Sequence, residues 1–209
     1  TFISSMVLSV ACVSAANAAV TFDSFTVPQS ESNGWGLGAG INWASPASSQ
    51  PIFGASGTRA GYAYNNGSGT STSSVGGGTA TFTNTDSGGQ FAGLVYSGSA
   101  QDLTGYTFSL YLNSNVATDG GTGFAWLFES AGGSVQSVVN YTGVGTYTID
   151  LNTLSGIDVT TITSISIGIY SAEPGSATVS NFTYAPAPAP GAVALLGAAG
   201  LIGARRRRD

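Results

Sequence analysis

The sequence predicts an all-β protein, a single β-sandwich domain with a short apolar segment at each end. Three observations predict it. Through the body, apolar side chains recur at alternate positions, the period of a strand with one buried face, and no long helical period competes. The breaks between these runs are rich in Gly, Ser, Asn and Asp, as in Asp119-Gly120-Gly121 and Glu173-Pro174-Gly175, which is turn chemistry. Charged residues make up only 7% of the chain, against roughly 25% in an average soluble domain. Aromatics at 11%, with many Val, Ile and Thr, supply the core that a disordered polar chain lacks.

The elements run in order along the chain. Residues 1–18 are apolar and end in small side chains. Ala16-Asn17-Ala18 matches the small-x-small pattern of a signal-peptide site, so a cut after Ala18 is expected. Period-two patterning places strands at 20–27, 79–85, 90–96, 105–112, 123–129, 134–141, 145–151, 163–170 and 177–184. Within 105–112, Tyr106, Phe108, Leu110 and Leu112 share one face, while Thr107, Ser109 and Tyr111 share the other. Ile165, Ile167 and Ile169 align in the same way. The stretch 65–78 is nearly all Gly, Ser, Thr and Asn, and reads as a long loop or a strand edge of weak register. Many short strands between turn signals suggest a sandwich, expected over 19–184.

The last segment, 185–209, differs in kind. Ala185 to Pro190 alternates Ala and Pro, a stiff spacer that cannot enter a sheet interior. Ala192 to Ala204 gives 13 residues with no polar side chain. As a helix that run spans about 20 Å, short of the roughly 30 Å hydrocarbon core, so transient membrane insertion is expected. Arg205, Arg206, Arg207 and Arg208 come next, and adjacent guanidiniums resist crossing a bilayer.

Charge narrows the partners. Between Ala19 and Ala189 nine acids face one base, Arg59, a net charge of −8. Such a field repels phosphate backbones, so no nucleic-acid partner is expected. The chain has no histidine and no lysine, which removes histidine triads, histidine zinc sites and Schiff bases. Carboxylate chemistry remains. A glycoside hydrolase needs two carboxyls across one cleft. Glu31, Glu129 and Glu173 are the three glutamates, and Glu129, ending the apolar run FAWLFE, is the strongest single candidate.

The order of the tail, a proline joint at Pro188-Ala189-Pro190, a short apolar helix and a terminal arginine cluster, resembles the PEP-CTERM sorting signal. It departs from that family at the joint, where Ala189 stands in place of glutamate. The resemblance implies an exosortase-like membrane protease as partner, and a destination at the cell surface or extracellular matrix of a Gram-negative-type bacterium. In the body, Thr146 to Asn152, Ile162 to Ile169 and Ala177 to Tyr184 resemble the closing strands of galactose-binding-like jelly rolls. That resemblance implies a jelly-roll topology, the fold of many carbohydrate-binding modules, and a structural calcium ion. Asp23 and Asp150, near strand ends, are the candidate ligands for calcium; no EF-hand spacing is present.

Sugar binding needs aromatic faces for stacking, with amides or carboxylates for the hydroxyls. Trp35, Trp43, Tyr62 and Tyr64 lie in Gly-, Ser- and Asn-rich segments and are the candidate carbohydrate-binding residues; Trp126, inside FAWLFE, is expected in the core. The function expected first is a non-enzymatic structural or adhesive component of a surface layer. The alternative is a carbohydrate-binding module, and a glycoside hydrolase comes third.

Overall fold

The computed structural model describes residues 18–33, 40–46, 52–53, 57–65, 69–85, 89–117, 123–140, 143–170 and 174–186. Residues 1–17 of the expected signal peptide, Trp35 and the sorting tail beyond Pro186, including Pro188, Ala189, Pro190 and Arg205 to Arg208, lie outside them; Ala185 and Pro186, expected to open the 185–209 spacer, instead end the last strand opposite Thr107 and Tyr106. Ala18 is exposed just ahead of the first strand. Among the described residues no helix is long and apolar enough to cross a membrane.

Among the described residues there are thirteen strands: β1 (Val20–Asp23), β2 (Gln29–Asn33), β3 (Gly40–Pro46), β4 (Thr58–Asn65), β5 (Ser71–Gly76), β6 (Thr79–Asn84), β7 (Gly89–Gln101), β8 (Tyr106–Ala117), β9 (Gly123–Ser130), β10 (Gly133–Asn140), β11 (Gly145–Asp150), β12 (Ile162–Tyr170) and β13 (Gly175–Pro186). They make two antiparallel sheets. The first runs β11-β8-β13-β6-β5-β2, with β1 also on β13; the second runs β10-β9-β12-β7-β4-β3. The chain crosses repeatedly between sheets, and the result is the jelly-roll-like sandwich the sequence predicts.

Alternation decides what lies between the sheets. Phe108, Leu110 and Leu112 of β8 point inward, as do Phe124, Trp126 and Phe128 of β9 and Ile165, Ile167 and Ile169 of β12. An aromatic cluster joins the layers. Phe22 meets Tyr96 edge-on at 4.9 Å and Phe182 at 4.5 Å, and Trp126 meets Phe182 at 5.6 Å. Each such pair contributes about 0.5–1.5 kcal/mol beyond area burial.

Two expectations are corrected. The stretch 65–78 is not one loop: it contains β5, in register between β6 and β2. Two of its three inward positions are serines, Ser71 and Ser73, and only Val75 is apolar, so no apolar alternation marks it. Ser73 Oγ donates to Tyr62 O at 2.7 Å, and Ser71 Oγ lies 2.9 Å from Tyr64 O and 2.6 Å from Asn84 Oδ1. Buried hydroxyls thus bind β5 of one sheet to β4 of the other. The strand expected over 20–27 stops at Asp23. There Asp23 Oδ1 accepts from Phe25 N at 2.7 Å and Phe25 takes φ 55°, a left-handed turn that drops its ring into the core against Phe182.

Candidate functional site

The second sheet carries apolar side chains on both faces. Its inner face is core. On its outer face, the register of β4, β7, β12 and β9 sets four rows across the strands. Tyr64, Phe91, Tyr170 and Gly123 form the first; Tyr62, Gly93, Gly168 and Ala125 the second. Ala60, Val95, Ser166 and Leu127 form the third; Thr58, Ser97, Ser164 and Glu129 the fourth.

The second row is the floor of a trough. Gly93 and Gly168 face each other, and a Cβ on Gly168 would meet the carbonyl oxygen of Ala92 and, at 2.6 Å, the Cα of Gly93. Only glycine permits that approach. The ring of Phe91 folds back over Gly93, with Cζ 2.6 Å from where a Cβ would stand, and meets Tyr62 edge-on at 5.2 Å. Around this floor lies a groove of about 380 Å³, edged by Phe91, Tyr62 and Tyr170 towards one end and by Leu127 and Glu129 towards the other. Val95, Ala125 and Ser166 complete its lining. Tyr170 is 51% exposed, the most open ring among the described residues of this face, and Glu129 is exposed. Burial, then the neighbouring Tyr64, raises the Tyr62 hydroxyl above its ordinary pKa, so it stays protonated and able to donate at neutral pH.

The sequence candidates separate here. Tyr62 lines the groove and Tyr64 lies beside it in the next row, on a regular strand and not in the irregular segment their neighbours suggest. Trp43 sits on β3, paired with Gly61, and its side chain is outside the described residues. Trp126 is fully buried with no hydrogen-bond partner for Nε1, and so belongs to the core. Phe91, Leu127, Ser166 and Tyr170 were not marked by composition. Their signal is phase: Leu127 stands between inward Trp126 and Phe128, and Tyr170 comes after inward Ile169, so both face out.

The two calcium candidates are not brought together. Asp23 is buried and held by Arg59 Nη1 at 2.7 Å and by the Tyr96 hydroxyl at 2.9 Å, both donating to Oδ2. The same guanidinium donates to Val27 O at 2.6 Å and, through Nε, to Gln29 Oε1. Asp150 instead caps a single-turn 3-10 helix, Leu151–Thr153, accepting from Asn152 N at 2.9 Å. Among the described residues no three metal-ligating side chains cluster. In the groove, Glu129 is the one carboxylate among the described lining residues.

No protein-family model and no curated protein matches the chain. Among solved structures it is similar to the Family 11 carbohydrate-binding module of a cellulosomal cellulase of Clostridium thermocellum. That likeness has 18% identity and a TM-score of 0.44, over 82% of this chain and 96% of that one. It is similar also to a carbohydrate-binding module specific for non-crystalline cellulose, with 19% identity and a TM-score of 0.37, over 53% and 75% of the two chains. A third is the xyloglucanase domain of NopAA from Sinorhizobium fredii, with 10% identity and a TM-score of 0.42, over 69% and 98%. These likenesses concern the sandwich alone.

Proposed function

We propose that the protein is an exported carbohydrate-binding module and that the outer groove of its second sheet takes a glycan chain. One observation carries the reading: a sheet whose inner face already forms the core bears a second apolar surface outside, built as an aromatic-edged trough. Sugar rings stack on aromatic faces, while Glu129, Ser166 and the Tyr62 hydroxyl offer hydrogen bonds to ring hydroxyls. The volume lies within the roughly 300–1,000 Å³ of ligand sites. A glycan site thereby stands ahead of the purely structural role that the sequence ranked first.

The address completes the proposal. The signal peptide is removed after Ala18, and the 192–204 helix inserts transiently. Arg205 to Arg208 hold the tail in the cytoplasm while an exosortase-like protease acts near Pro188-Ala189-Pro190. The module then works at the cell surface or in the matrix.

Affinity electrophoresis through gels containing soluble polysaccharides tests the site. At least one neutral glycan slows the protein, and Tyr170→Ala weakens that retention about tenfold, the effect of losing one aromatic anchor. Equal mobility in every gel contradicts the proposal.

A further inference from the structure

Resting on the glycan reading of the groove, we infer that its ligand is an uncharged glycan and that uronate-, sulfate- and phosphate-bearing polymers are excluded. Acidic sugars are held by cationic side chains that match their oxyanions. From residue 18 to residue 186 the chain has one such side chain, Arg59, and no lysine or histidine. Arg59 is 2% exposed and lies on the inner face of β4, the face opposite Tyr62. Asp23, Gln29 and the Val27 carbonyl engage its guanidinium. No cation of this segment therefore reaches the groove.

What does reach it is negative. Glu129 is exposed at one end of the groove, and it pairs with Ser164 near the start of β12. Asp102, just after β7, and Asp158, just before β12, are exposed at that same end of the sheet. Their carboxyls are ionised at neutral pH, held below the usual carboxylate range by bonds from Thr104 and Thr160. A polymer with carboxylates along its length meets like charge with no counter-charge in reach. A neutral chain presents hydroxyls that donate to Glu129 and rings that lie on the aromatic edge.

The experiment uses backbones matched in linkage: hydroxyethyl against carboxymethyl cellulose, laminarin against carboxymethyl curdlan, and agarose against carrageenan, with EDTA present to remove bridging cations. The neutral member of at least one pair binds, and its anionic partner binds about tenfold or more weakly at low salt, the effect of close like charge near a protein surface. The gap narrows between about 0.01 M and about 1 M salt, as the screening length shrinks from roughly 30 Å to 3 Å. Glu129→Gln narrows it as well. Equal or tighter binding of an anionic polymer at low salt, or a gap indifferent to both salt and Glu129→Gln, overturns the inference and leaves the glycan site standing. No binding by any of the six polymers overturns the site itself.

Discussion

Replacing Arg59 of β4 with methionine removes the only base of the body from a seam where four strands meet. Asp23 comes from β1, Gln29 from β2 and Tyr96 from β7. Both charged partners are buried, with side-chain exposures of 3% and 8%. Arg59→Met leaves the Asp23 carboxylate with two neutral donors, Tyr96 OH and Phe25 N, and no counter-charge. Breaking a buried pair from one side costs about 3–5 kcal/mol. Val27 is partly exposed, so its carbonyl exchanges the lost donor for water and adds little. Against a total stability of about 5–15 kcal/mol, this single change removes roughly a fifth or more. Asp23→Leu strands the guanidinium instead and costs a similar amount. The double variant, with no charge left at the seam, recovers most of the loss, since apolar replacements of buried pairs are commonly neutral. Urea unfolding of the four proteins at neutral pH gives the coupling, expected at about 3 kcal/mol or more. A cost below about 1 kcal/mol for Arg59→Met, the range of solvated surface pairs, refutes the reasoning.

Three further outcomes are expected. Gly168→Ala drives a methyl into the Ala92 carbonyl, costs about 1–3 kcal/mol by overpacking, and lowers the urea midpoint although no contact is deleted. Burial first, then Asp23, raises the Tyr96 hydroxyl well above its ordinary pKa. Its folded value exceeds its unfolded one of about 10, so stability is full below that pH and falls as pH rises past it; Tyr96→Phe flattens this alkaline limb in a pH series of thermal melts. Asp158 has the opposite sign: its Thr160 bonds lower it from 3.8, so its contribution is present above that pH and lost as pH falls through the folded value. Asp158→Asn removes that part of the acid limb in the same series.

Strands whose inward face is apolar announce themselves, and 105–112, 123–129 and 163–170 appear in the structure close to where alternation puts them. β5 escapes because two of its three buried positions, Ser71 and Ser73, spend their hydroxyls on carbonyls of the opposite sheet, leaving Val75 as its single apolar inward residue, and a serine run reads as loop. The groove was half visible. Tyr62 stood out as an aromatic among small residues, whereas Phe91, Leu127 and Tyr170 hid inside apolar strands where one face was already assigned to the core. Their outward phase becomes meaningful only when the register shows Gly93, Gly168 and Ala125 side by side beneath them. Asp23 was misleading for a different reason: an acid near a strand end suggests a cation ligand, and sequence spacing does not reveal that Arg59, 36 residues on, supplies the cation.

The glycan site is tested most directly by titrating a neutral oligosaccharide, taken from whichever polymer retards the protein, into isotope-labelled protein and tracking backbone amides by NMR. A groove that holds the ligand gives concentration-dependent shifts at Gly93, Leu127, Gly168 and Tyr170, on one face of the second sheet. Shifts confined to the hydroxyl-rich outer face of the first sheet, around Thr81, Thr83, Ser176 and Thr178, would contradict it.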